Sequence, residues 1–130
     1  MENKPRKASW KNLVQWFDPR SNQLGDWAFI LNRITAIGLT VYLYLHLVIL
    51  GQLDQGPEAY DNFLAMIKNP VFVTGEVLVV AAGFIHGLNG IRVALTSFGI
   101  GVPRQKAMFY ILMAIAIIAT IVFGIRMYTA

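Results

Sequence analysis

The sequence predicts an all-α integral membrane protein with three transmembrane helices and short interfacial helices, on three observations. Apolar residues make up 56% of the chain and charged residues only 14%, outside the range of soluble domains. Three apolar stretches each exceed the ~20 residues that a bilayer-spanning helix needs. The lysines and arginines collect at the ends of those stretches, as topology signals do. A chain of 130 residues has room for one membrane domain, residues 27–130, behind an N-terminal segment of residues 1–26.

The N-terminal segment is polar, lacks the apolar core of a cleavable signal peptide and holds Lys4, Arg6, Lys7, Lys11 and Arg20. Within it, residues 9–17 place Trp10, Leu13, Val14 and Phe17 near one helical face behind Ser9 as N-cap, which predicts a helix lying on the membrane. Residues 27–50 form the first span. Residues 57–69 predict a second interfacial helix, with Tyr60, Phe63, Leu64 and Ile67 on one side and Asn69-Pro70 as its end. Residues 71–97 and 107–128 form the second and third spans. With no water in the bilayer, helix is the state that satisfies their backbones. Arg92, Arg104 and Lys106 border the loop after the second span, whereas the loop after the first holds Lys68 beside Asp54, Glu58 and Asp61. Positive residues stay inside, so the N-terminus is expected in the cytoplasm and the C-terminus outside. This placement of the basic residues also accounts for the net charge of +4 without a nucleic-acid partner.

No cysteine is present. That excludes disulfides, thiolate metal sites, iron–sulfur ligation and covalent heme attachment. Chemistry then has to come from the polar residues inside the spans. "FIHGLNGIR", residues 84–92, puts a histidine, an asparagine and an arginine in an apolar setting. Both histidines of the chain, His46 and His86, fall in spans, and intramembrane ionisable groups are functional candidates. Two readings stand for each: an axial ligand to heme iron, which a neutral imidazole suits, or a neutral histidine bonded to a neighbouring helix.

Depth bears on the first reading. At ~1.5 Å rise per residue, His46 lies roughly 28 Å above the inner end of its helix and His86 about 16 Å above the inner end of the next. A separation on the order of 12 Å is too large for two ligands of one upright porphyrin. Each histidine would need its opposite ligand from another chain. Gly83, Gly87 and Gly90 flank His86 and permit close approach of a porphyrin or of a helix backbone. Arg33 lies in the first span with Asn32 and Thr35. It is either a snorkelling arginine or part of a polar pocket for a small carbonyl ligand. Arg92 is either a partner for a heme propionate or a topology marker. Glu76 and Arg126 lie toward the outer side; they could pair with each other, Arg126 could meet a propionate or Glu76 could carry protons, and structural roles are expected for both.

Two motifs together resemble the cytochrome b membrane-anchor subunit, C type, of succinate dehydrogenase and fumarate reductase. "NRITAIG", residues 32–38, is similar to the family's HRxTG/HRxSG stretch, and "HGLNGIR", residues 86–92, fits its H-x-x-x-G-x-R. The resemblance runs from about residue 26 onward. It implies that His86 is a heme b axial ligand, that Arg33 with Asn32 and Thr35 helps form a quinone site at the inner interface, and that Arg92 lies near the propionates or quinone. His46, thirteen residues after Arg33, matches the first-helix ligand of relatives with two hemes. Phe29 and Asn32 stand where many one-heme members have serine and histidine, Val93 stands where histidine is frequent, and the N-terminal Arg-Pro-x-Ser-Pro pattern is absent. These departures point to a two-heme variety in a bacterial or archaeal cytoplasmic membrane. The partners implied are a second anchor subunit giving the opposite heme ligands, an iron–sulfur subunit and a flavoprotein subunit. The rival expectations are a cytochrome b anchor of another membrane oxidoreductase and a heme-free structural or assembly protein.

Overall fold

A computed structural model describes residues 24–130, all of them in helices or the short turns between helices. Helix α1 is Leu24–Leu50, α2 is Pro57–Ile67, α3 is Pro70–Ser97 and α4 is Gln105–Thr129. The three long helices contain 27, 28 and 25 residues. At 1.5 Å per residue each is roughly 40 Å long, more than the hydrocarbon thickness of a bilayer. All three are apolar enough to cross a membrane. The stretch in residues 9–17 and the segment before residue 24 lie outside the described residues.

Helix α2 is amphipathic as its sequence predicts. Tyr60, Phe63, Leu64 and Ile67 are half-buried, while Glu58, Asp61, Asn62 and Lys68 are exposed. Its end comes two residues earlier than expected. It stops at Ile67, and Asn69 instead begins α3, its Oδ1 accepting the Val71 N–H at 2.9 Å. An asparagine cap followed by proline at the first helical position is a strong start signal for the helix that follows. Between α3 and α4 the chain turns through Gly99 and Gly101, both with positive φ (79° and 72°). At Gly101 the Met108 sulfur lies where a Cβ would sit, but that flexible side chain can move aside, so it is the left-handed φ that selects glycine there.

Helix α3 is central and packs antiparallel against both α1 and α4. Its register against α1 is set by Asn89 opposite Ala28 and His86 opposite Asn32. Against α4 it is set by Val77 opposite Gly124 and Thr74 opposite Tyr128, whose hydroxyls hydrogen-bond. Among the described residues buried side chains are few: Ala28, Ile30, Phe109 and Ala116, with polar Thr35 and Asn89. Large apolar side chains remain exposed over most of the surface, including Val71, Tyr44, Leu78 and Ile118. Such a surface is unfavourable in water and suited to lipid and partner helices.

Glu76 and Arg126 do not pair, contrary to one expectation. They lie at the same level of the α3–α4 seam. However, Glu76 is about 100° around α3 from Val77, and Arg126 about 200° around α4 from Gly124, so the two diverge from the seam. The pairing at that level is Thr74 with Tyr128.

Candidate functional site

Polar side chains inside the bundle concentrate on the α1–α3 seam. His86, Asn89 and Arg92 follow at three-residue intervals, so each lies about 60° around α3 from the previous one. His86 and Asn89 meet α1, and Arg92 turns on toward α4. Asn89 is 2% exposed. Its Nδ2 donates to the Ala28 carbonyl at 3.2 Å and its Oδ1 accepts Arg92 Nε at 3.0 Å. One buried amide thus ties α1 to α3 and orients Arg92, whose guanidinium carbon lies 5.6 Å from the Phe109 ring centre.

His86 Nδ1 lies 3.1 Å from the Asn32 carbonyl and 3.3 Å from Thr35 Oγ1. A carbonyl only accepts, so Nδ1 carries the proton in the neutral ring. The Thr35 hydroxyl donates to the Leu31 carbonyl at 2.7 Å, which leaves its oxygen free to accept from His86. The ring is therefore oriented from one side, and the lone pair falls on Nε2. This is the arrangement a metal-ligating histidine uses, with the far nitrogen bonded to a carbonyl. The Asn32 side-chain oxygen is buried and has no hydrogen-bond donor among the described residues.

The glycines stand on the remaining face of α3. Gly83, Gly87 and Gly90 lie within about 40–100° of His86 around the axis, whereas Arg92 lies about 120° the other way. A Cβ added at any of the three would meet nothing within 4 Å. Among the described residues they pack against no other helix; they line a face of the central helix that neither α1 nor α4 covers.

The other residues singled out from sequence are placed separately. Arg33 lies one residue beyond Asn32, about 100° around α1, and its guanidinium carbon is 4.2 Å from the Phe29 ring centre. The structure therefore joins Asn32 and Thr35 to His86 rather than to Arg33. His46 stacks on Tyr42, ring centres 5.7 Å apart, one turn earlier on the same helix. His86 is level with residues 32–35 of α1, so His46 lies about 16–21 Å farther along the helix. That exceeds the separation expected from sequence. Asn89 has no role in the sequence reading, yet it joins α1 to α3; its signal is the three-residue spacing to His86 and Arg92.

Comparison with known proteins gives a consistent result. The Succinate dehydrogenase/Fumarate reductase transmembrane subunit family matches residues 6–123. The chain is 33% identical over 118 residues to the succinate dehydrogenase 2 membrane subunit SdhC of Mycobacterium tuberculosis, covering 85% of this chain and 87% of that one. It is 30% identical over 101 residues to the succinate dehydrogenase hydrophobic membrane anchor subunit of Halobacterium salinarum, covering 75% and 78%.

Proposed function

The chain belongs to the succinate dehydrogenase/fumarate reductase transmembrane subunit family, and from that premise we propose that it is a heme b-binding anchor that helps carry electrons from an iron–sulfur subunit to membrane quinone. The observation that carries the reading is His86, its Nδ1–H held by the Asn32 carbonyl and its Nε2 left with the lone pair beside an open glycine face. The residues fit the group. A ring nitrogen is available, its orientation is fixed, and glycines leave room for a flat macrocycle. The buried, unsatisfied Asn32 oxygen costs about 1–3 kcal/mol. A cost of that kind beside a ligand-competent histidine supports selection for function over stability.

His86 would bind one heme b from the glycine face, and His46 a second one farther along α1, each with the opposite ligand from a second anchor subunit. Heme b supplies reversible one-electron transfer at iron when bound. Arg33 and its neighbours would hold quinone at the end of the bundle bearing Arg92, Arg104 and Lys106, taken as the cytoplasmic side of a bacterial or archaeal membrane. The iron–sulfur clusters would reside on a partner subunit, since a chain without cysteine cannot ligate them, and succinate chemistry on a flavoprotein partner.

The test is heme stoichiometry in the complex purified from membranes. His86→Ala is expected to remove one heme b and its share of the reduced-minus-oxidised spectrum, because one of two axial ligands is lost. Unchanged heme content in the assembled variant would overturn the assignment. Arg33→Leu is expected to slow quinone reduction with heme content kept; normal quinone turnover would return Arg33 to a purely topological role.

A further inference from the structure

Arg92 is oriented by buried groups, yet it faces away from the glycine side of α3. Its Nε is used by Asn89 and its guanidinium carbon lies over the Phe109 ring. Arg92 also lines a cleft of about 490 Å³ at the end of the bundle. The cleft lies between the start of α1 and the start of α4, with Arg92 at its back. Lys106 and Gln105 edge it from α4, and no described carboxylate lines it. No side chain caps α4, and its start adds the positive end of a 25-residue helix dipole, although the Gln105 N–H is already taken by the Val102 carbonyl. Leu24, Phe109 and Tyr110 form the apolar part of the wall. Tyr110 is 63% exposed and continues onto Ile111, 60% exposed, on the outer face of α4.

We propose that this cleft binds the phosphate headgroup of an anionic membrane lipid, with Arg92 and Lys106 as the charge partners and Asn89 as the residue that positions Arg92. Three features select this occupant. Two cations with no described carboxylate lining the cleft match a phosphate, and arginine offers the fork geometry for it. The apolar wall runs out onto a surface built for acyl chains, so headgroup and chains are accommodated by one continuous surface. Basic pockets between spanning helices at a membrane face are suited to anionic headgroups. A heme propionate is the weaker match: a porphyrin bound at His86 on the glycine face would lie on the opposite side of α3. The proposal is independent of the heme reading and needs only that the helices span a bilayer.

The experiment is native mass spectrometry of the complex extracted in a mild nonionic detergent, comparing wild type with Lys106→Gln and Arg92→Gln, with heme content measured on the same samples. Wild type is expected to retain an anionic phospholipid. Each substitution is expected to lower its occupancy about five-fold, the effect of one basic residue at an anionic surface. Lys106→Gln changes an exposed side chain and is expected to keep heme content at the wild-type level. In delipidated wild type, phosphatidylglycerol should raise the melting temperature where phosphatidylcholine and inorganic phosphate do not. Equal anionic-lipid occupancy in all three proteins would overturn the proposal. So would an equal response to inorganic phosphate, or a zero-length crosslink from Lys106 to a carboxylate of another subunit, which would identify a protein occupant. Loss of heme in Lys106→Gln with lipid retained would reassign the cleft to a propionate. Failure of the heme reading, by contrast, would leave lipid occupancy unchanged.

Discussion

His86 and His46 are both half-buried histidines in long apolar helices, yet the protein around them differs. At His86, the Asn32 carbonyl fixes one ring nitrogen, Thr35 supports it, and glycines keep the adjacent face open. At His46, the contact is a stack on Tyr42 from its own helix, and among the described residues neither ring nitrogen has a hydrogen-bond partner. An aromatic stack of this kind is worth about 0.5–1.5 kcal/mol, enough to bias a rotamer but not to set a tautomer. At one histidine the chain itself orients the ring and fixes its tautomer; at the other it supplies only a stack from the same helix.

The largest effect that separates the two comes from His46→Ala. If His46 ligates a second heme, the complex should fall from two hemes to one, and the surviving spectrum should be the component that His86→Ala removes. One heme per complex in wild type, unchanged by His46→Ala, would instead make His46 a structural residue and leave His86 as the sole ligand on this chain. The separation of about 16–21 Å along α1 makes the two losses independent, since residues so far apart with no shared partner act additively.

A smaller effect is expected where the seam is held without touching a ligand. Asn89→Leu removes the amide that joins Ala28 to α3 and releases Arg92 Nε. Hydrogen bonds between spanning helices are worth about 0.6–2 kcal/mol. The variant complex is expected to melt a few degrees lower in detergent, with His86 still ligating. Complete loss of heme in an assembled Asn89→Leu complex would show that the seam, rather than Asn32 and Thr35, positions the histidine.

Much of this contrast could be read before the structure, and the remainder has identifiable causes. The three spans follow from apolar length, because the bilayer permits only one backbone state. The half-buried side of α2 follows from helical periodicity at Tyr60, Phe63, Leu64 and Ile67. The motifs pick out His86 and Arg33. What the sequence does not contain is rotation between helices. Asn32, Arg33 and Thr35 are neighbours in the chain, but a helix separates adjacent residues by 100°. Two of them therefore serve His86 while Arg33 turns to Phe29. Depth counted along each span underestimated the distance between the histidines because it assumed aligned helix ends; the Asn32–His86 contact supplies the true register.

The smallest effect is expected at Thr35. Its side chain is 7% exposed and its oxygen lies 3.3 Å from His86 Nδ1. Thr35→Val keeps the volume close and deletes the hydroxyl. The Leu31 carbonyl keeps its helical N–H partner, and Nδ1–H keeps the shorter bond to the Asn32 carbonyl at 3.1 Å. The ring should therefore stay in place, and heme content should stay at the wild-type level. Supporting hydrogen bonds to a ligating histidine typically change metal affinity 10–100-fold, and with one of two retained, about ten-fold or less is expected. A second consequence distinguishes tuning from packing. A hydrogen bond accepted from Nδ1–H makes the imidazole a stronger donor through Nε2 and favours the ferric state, so its loss should raise the midpoint potential of that heme alone. Redox titration of the variant against wild type measures this. An unchanged potential would assign the whole orienting role to the Asn32 carbonyl, whereas loss of heme would assign it to the threonine hydroxyl.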